Sequence, residues 1–379
     1  MTIRVTYTQA AKLGGAGIGS IAYQFIKGLY RAGLLHKAVV AYEGVHDIPP
    51  SHLASFRWMR LVARLARDNH PIRDAIFDQA AARHIPPCDI FHGWSHQCQH
   101  SLHKAKSFGA ITFLERQNSH DRCQNALVQA EYDTWGYQER PAVRPHGMKR
   151  GLAEYETADY ITVPSPFVYE SFIAEGFAKD RLFLVPYGVD IDRFKPDPNS
   201  WRDHKTFRLL FVGQVSLRKG VPYLLQAWQK SGLAHAELWL AGRIVPDAER
   251  VIKPFLNEPT IKFLQHVPDT ARLYQQVDAC VLPSIEEGSA LVTYEAMACG
   301  LPLIYTYHTG AVARHMSEGI EVPIRDVNAL AEAISRLYED KLLRQFLGAA
   351  GRLRAEEFSW DQAVQKLIAA YETVMPSPA

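Results

Sequence analysis

Short runs of β-branched and aromatic residues alternate along the chain with longer segments whose apolar positions recur at helical spacing. Ile3–Tyr7, Ala38–Tyr42, Asp89–Phe91, Ala110–Phe113, Tyr160–Val163 and Leu182–Val185 read as strands. The pattern then breaks and restarts at Phe207–Val212, continuing through Glu237–Ala241, Ile261–Phe263, Ala279–Leu282 and Leu303–Tyr305. Short strands separated by helices predict parallel, doubly wound sheets, with function in the loops at the strands' carboxyl ends. The break, PYGVDIDRFKPDPNSWRDH, has three prolines and several aspartates and reads as a linker. We therefore expect one α/β domain over residues 1–189, a linker over 190–203 and a second domain over 204–358. A last helix, Trp360–Val374 with Ser359 as its N-cap, falls within 359–379 and is expected to pack back on the first domain.

A chain of 379 residues is too long for one comfortable core and fits two domains of ordinary size. The net charge of +2 argues against a nucleic-acid partner held by a large positive field, although the first half is slightly the more basic. Cys88, Cys98, Cys123, Cys280 and Cys299 are odd in number and widely spaced, as expected of reduced thiols rather than a disulfide frame or zinc site. The opening MTIRVTYTQAAKLGGAG is too polar for a secretion signal. No apolar run approaches the ~20 residues of a membrane span. The expectation is a soluble, cytoplasmic protein.

The strongest chemical signal is PSIEEGSALVTYEAMACGLP, residues 283–302. After a strand ending at Leu282, Glu287 falls in a loop and Glu295 one turn into a helix beginning near Leu291. Both carboxylates can face a ligand lying across that helix start, where the N–H groups of Gly288 to Leu291 suit an oxygen-rich or anionic group. Carboxylates accept well from vicinal sugar hydroxyls, so Glu287 is assigned to a sugar and Glu295 to a ribose. Two solvated glutamates flanking an ordinary strand–loop–helix is the competing reading.

The two glutamates with seven residues between them, the second opening EAMACGLP, resemble the donor site of family 4 glycosyltransferases. ADYITVPSPFVYESF, RLFLVPYGVDIDRFKP and FVGQVSLRKGVPYLLQAW precede them in the family's order and spacing, so the resemblance covers nearly all of residues 158–310. It is thinner in the N-terminal domain. The resemblance implies a GT-B fold, α/β with two Rossmann-like domains facing across a cleft, the first on the acceptor side and the second binding a nucleotide sugar. It implies a retaining transfer of a hexose-type sugar to a saccharide, lipid-linked or small-molecule acceptor, without a metal or other cofactor.

In that frame the donor-binding residues are Gly15, Ala16, Gly17, Gln214, Arg218, Lys219, Val267, Gly288, Ser289, Ala290, Leu291 and Glu295, with Glu287 and His120 in catalytic positions. Arg218 and Lys219 stand at a helix start near Gly220, where cations can neutralise a departing diphosphate. Many relatives place an arginine directly after the glycine; here that place holds Gln214, so either Arg218 substitutes or the donor binds more weakly. The first glycine loop, LGGAGIGS, does not match a dinucleotide fingerprint cleanly and is assigned to closing over the donor phosphates. His120 resembles a histidine that lies beside the reacting sugar in the family, against the alternative of a capping or surface histidine.

His92, His96 and His100 step by four, but His92 falls at a strand end, so acceptor-side residues are favoured over a zinc site. Arg57, Arg60, Arg64 and Arg67 share one helix face, with Met59, Leu61, Val62 and Leu65 around the rest. A packed helix with a solvated arginine face competes there with peripheral contact to anionic lipid at the inner membrane face. The rival functions are a catalytically silent nucleotide-sugar-binding partner and a GT-B phosphorylase or epimerase.

Overall fold

The computed structural model describes residues 3–15, 17–66, 70–137, 143–197 and 206–376. Its first sheet has seven strands: β1 (Val5–Leu13), β2 (Leu35–Glu43), β3 (Leu53–Ser55), β4 (Ile90–Trp94), β5 (Ile111–Glu115), β6 (Tyr160–Val163) and β7 (Leu182–Leu184). The second has six: β8 (Phe207–Val212), β9 (Ala236–Ala241), β10 (Ile261–Gln265), β11 (Ala279–Leu282), β12 (Leu303–Tyr305) and β13 (Gly319–Glu321). The strand orders are β3-β2-β1-β4-β5-β6-β7 and β10-β9-β8-β11-β12-β13. All pairings between neighbouring strands are parallel. Strand order therefore reverses between β1 and β4 and again between β8 and β11, and each reversal opens a crevice at the carboxyl ends.

Every residue of β4 (IFHGW) and of β11 (ACVL) is buried, as expected for strands covered by helices on both faces. β3 and β13 were not anticipated; each is a three-residue strand at a sheet edge with a single large apolar residue, LAS and GIE. β1 begins two residues later than expected and runs six residues further, with a register shift between Gln9 and Lys12 that interrupts its alternation.

The helix Trp360–Val374 packs against Ile18–Arg31 of the first domain. A Cβ on Gly28 would lie 2.3 Å from Val364 Cγ2, so glycine sets the approach. Phe25 meets Trp360 edge-on at 6.1 Å, and the Tyr371 hydroxyl is hydrogen-bonded to buried His92 Nδ1 at 2.8 Å. Ser359 caps this helix, its Oγ accepting from Gln362 N–H at 3.3 Å. Beside it Val189 N–H donates to Phe358 O at 2.9 Å, so the chain's two passages between the sheets run side by side.

A first-domain helix, Asp121–Thr134, also meets the second domain. Its buried Glu131 accepts from the Tyr223 hydroxyl at 2.9 Å and is ion-paired with Arg325. Burial and the neighbouring carboxylate push the Tyr223 phenol up to about 12. Trp135 packs edge-on to Tyr223, and Arg250 lies over Tyr137 at 4.5 Å.

Candidate functional site

In the second crevice the loop after β8 and the loop after β11 are locked together. Gly220 adopts φ +67° as the N-cap of the helix Val221–Ser231, and a Cβ there would fall 2.0 Å from Pro283 O. Only glycine meets both demands. This contact brings the Arg218–Lys219 pair onto Glu287. Arg218 Nη1 is 2.7 Å from Glu287 Oε1, and Lys219 Nζ is ion-paired with the same oxygen. Burial lowers the Lys219 ammonium from its usual range, with Glu287 opposing. Burial also resists ionisation of Glu287, but Arg218 and Lys219 outweigh it and hold the carboxyl below its ordinary range.

Glu295 lies one turn into the helix Leu291–Ala298 and accepts from the Tyr274 hydroxyl at 2.9 Å. Burial raises its pKa, the Tyr274 hydrogen bond opposing. Val267 is half-buried against the cluster that contains Tyr274. Ser289 Oγ is 2.7 Å from the Tyr294 hydroxyl and donates to Gly310 O at 3.2 Å. The expectation that every N–H from Gly288 to Leu291 faces a ligand is corrected, because Ala290 N–H donates to Thr309 O at 3.0 Å. Leu291 is half-buried against the apolar cluster of the first sheet. Gln214 is exposed at the tip of the β8 loop, beside Gly213 at φ +150°.

The first domain closes directly on this loop. Ser165 Oγ donates to Gly288 O at 2.5 Å, and a Cβ on Gly288 would lie 1.4 Å from Gln117 O. Glu286, which the sequence reading passed over, is fully buried at the junction. Its Oε1 accepts from Ser119 N–H at 3.2 Å and Ser119 Oγ at 2.8 Å, and its Oε2 accepts from Gln124 Nε2 at 3.2 Å. Arg218 Nη1 reaches Glu286 Oε2 at 3.3 Å and its backbone carbonyl at 2.9 Å. The available sequence signal was an acidic residue directly preceding the motif glutamate, which spacing alone does not separate from a solvated one.

His120 lies in the loop after β5, but its imidazole is the N-cap of Asp121–Thr134, with Nδ1 accepting from Arg122 N–H at 3.3 Å. Its ring is 1% exposed and packs against Tyr155, Phe172 and Phe177. Burial pushes its pKa down to about 4. The structure thus brings Arg218, Lys219 and Glu287 together, while His120 occupies the capping position weighed against the catalytic one. Gly17, at φ +60°, caps the helix Ile18–Arg31 at the first crevice, and Gly15 packs against the Lys12 carbonyl. Ala16 lies outside the described residues.

Of the stepped histidines, His92 is buried within β4 and His100 sits on the helix Gln99–Lys106. His96, at φ +71°, bonds Asp121 Oδ2 through Nε2 at 2.9 Å. Among the described residues no three histidine, cysteine or acidic side chains converge as a metal site. The arginine helix is shorter than expected, Met59–Leu65, so Arg57 precedes it; Arg67 lies outside the described residues. Met59 is buried, whereas Trp58, Leu61 and Leu65 are 47%, 59% and 80% exposed, so apolar surface as well as arginine faces solvent. No described helix is long and apolar enough to cross a membrane.

Residues 206–340, which contain Arg218, Lys219, Glu287 and Glu295, match the family model described as Glycosyl transferases group 1. A D-inositol 3-phosphate glycosyltransferase of Pseudarthrobacter chlorophenolicus is 27% identical over 255 residues, 61% of this chain and 60% of that relative. The chain thus spans less than two thirds of that relative's length. Sucrose-phosphate synthase from Thermosynechococcus elongatus superposes with a TM-score of 0.75 at 20% identity, over 98% of this chain and 99% of the other. Anabaena HepE, solved in complex with UDP and glucose, gives 0.69 at 16% identity, over 98% and 100%. The fold is GT-B: two Rossmann-like α/β domains facing across a cleft.

Proposed function

We propose that the chain is a glycosyltransferase that moves a hexose-type sugar from a nucleoside-diphosphate donor with retention of configuration and without a metal. The observation that carries this reading is the convergence of Arg218 and Lys219 on Glu287 at the β8–β11 crevice, inside the segment that matches the group 1 model. A diphosphate leaving group develops charge as the glycosidic bond breaks. Two cations beside the start of Val221–Ser231 are placed to neutralise it. A diphosphate arriving there competes with Glu287 for Arg218 and Lys219, and the released carboxylate then accepts from the sugar hydroxyls. Glu295, held by Tyr274, takes the ribose. Gly15 and Gly17, at the mouth of the first crevice, approach the phosphates from the other side. Positioning and electrostatics supply most of the rate, with the acceptor proton passing to the leaving phosphate. His120 contributes as the cap that fixes the Arg116–Ser119 loop.

The test is release of nucleoside diphosphate from a panel of UDP-, GDP- and ADP-sugars, with and without EDTA, beside Glu287→Ala. Selective release that resists EDTA and disappears in the variant supports the proposal. Neither binding nor release of any donor overturns it. Gln214, standing where relatives carry arginine, favours one second reading, a silent partner; donor binding with no turnover across an acceptor panel selects it. Phosphate-dependent turnover without an acceptor selects a phosphorylase.

The acceptor-side proposal is a saccharide carried on lipid. Trp58, Leu61 and Leu65 expose apolar surface among Arg57, Arg60 and Arg64, beside a recess of ≈ 430 Å³ lined by Tyr42, Arg60, Ala63 and Arg64. This chemistry suits the anionic inner face of a membrane. Flotation with anionic but not neutral vesicles, lost in Arg60→Glu/Arg64→Glu, supports it; a wholly soluble wild type overturns it.

A further inference from the structure

Glu286 is the one acidic group of the β11 loop that does not point at a proposed donor contact alone; it bonds both domains at once. Its carboxylate is fully buried and receives Ser119, through backbone and hydroxyl, and Gln124 from the first domain, and Arg218 from the second. Asn118 Nδ2 adds longer approaches of 3.4 and 3.5 Å. The first-domain partners are not loose. Arg116, itself buried, donates to Ser119 O through Nε at 3.0 Å and Nη2 at 2.6 Å, and its Nη2 is 2.9 Å from Asp121 Oδ1. The loop that meets Glu286 is thus a preformed socket.

A buried carboxylate away from its partners costs far more than an exposed one. Parting the domains would strip Glu286 of Ser119 and Gln124 and leave Arg218 as its remaining partner. Arg218 is also the partner of Glu287, and a guanidinium drawn toward Glu286 presents a different edge to a phosphate than one shared between the two glutamates. We propose that Glu286 is a positioning residue that couples docking of the Asn118–Ser119 loop to the orientation of Arg218, so that the leaving-group cation is set only when the two domains are closed. The proposal rests on the transferase reading for what Arg218 acts upon, but not for the closure itself.

The experiment compares wild type, Glu286→Gln, Ser119→Ala and the double variant by small-angle scattering and by steady-state turnover of the donor that wild type uses. Thermal melts and far-ultraviolet circular dichroism establish that each variant is folded. Expected are a larger radius of gyration for both single variants and a kcat lowered about tenfold or more in Glu286→Gln, the worth of one charge-assisted hydrogen bond. Donor KM should stay within about twofold, because Glu287, Lys219 and Glu295 are untouched. The double variant should lose no more than Glu286→Gln alone, since both substitutions break one coupling. An unchanged radius of gyration, an opened protein with unchanged kcat, or fully additive losses would each overturn the proposal. A wild type inert toward every donor overturns the transferase reading and the Arg218 half with it, while scattering still decides the closure half.

Discussion

His120 shows how one side chain can carry a family resemblance and a structural duty at the same position. The ring caps a helix and is buried among Tyr155, Phe172 and Phe177. Burial drops its pKa from 6.5 to about 4, so the unfolded chain takes up the proton first. The stability this brings is fully present above pH 6.5 and is lost as pH falls toward 4. Glu154 runs the other way: burial raises it from 4.5 to about 7, so its contribution is full below 4.5 and fades as pH rises to 7. Wild type alone would therefore blur the two. His120→Asn keeps a capping acceptor and removes the titration. Urea unfolding should show wild type losing ground to this variant between pH 6.5 and 4; a constant difference would refute a buried neutral imidazole. At this scale motif order and spacing single out Arg218, Lys219, Glu287 and Glu295 as candidates, and the structure brings the first three together. Glu286 was not legible, because its partners Ser119 and Gln124 lie more than 160 residues away in sequence.

Among elements, the short connections carry more information than the strands they join. Gly220 sits at φ +67° with Pro283 O where its Cβ would be, so Gly220→Ala is strained both in backbone and in packing. We expect a loss of more than about 1 kcal/mol in chemical denaturation. Donor binding should weaken as well, because the same contact places Lys219 against Glu287. Undiminished donor affinity in a destabilised variant would separate the two effects and refute the link. β8 and β11 were legible over their full length, whereas only Ile90 and Phe91 of β4 were anticipated, because His92 and Gly93 interrupt its apolar run. β3 (LAS) and β13 (GIE) were not, since each has one large apolar residue where the equally short edge strand β7 (LFL) has three, and they take strand geometry from the neighbour they pair with. The arginine segment was legible as basic and helical, but its length was not, because Leu61 and Leu65 supply helical apolar spacing without being covered.

Over the whole molecule, two α/β sheets and a last helix were legible as a repeated strand–helix pattern, while residues 198–203 of the expected linker lie outside the described residues. How the domains hold each other was not, since Glu131–Tyr223–Arg325 and Glu286–Ser119 are tertiary pairings with no local signature. Tyr371→Phe removes the hydroxyl bonded to His92 deep in the first domain and should cost about 1 kcal/mol. In calorimetry the loss should fall on the first domain's transition; an effect confined to the second would contradict the packing of the last helix. That packing has a bearing on how the protein is made. The helix Trp360–Val374 supplies Ala363, Val364, Leu367 and Tyr371 to the first core, yet it is synthesised after the whole of the second sheet. At ordinary elongation rates the interval is roughly ten to thirty seconds. During it the Phe25 and Leu29 side of Ile18–Arg31 waits uncovered, and Leu347, Ala355 and Phe358 of the second core are themselves made only just before the last helix. The nascent chain thus closes its first core no earlier than its second, and the uncovered helix face is where a chaperone would be needed.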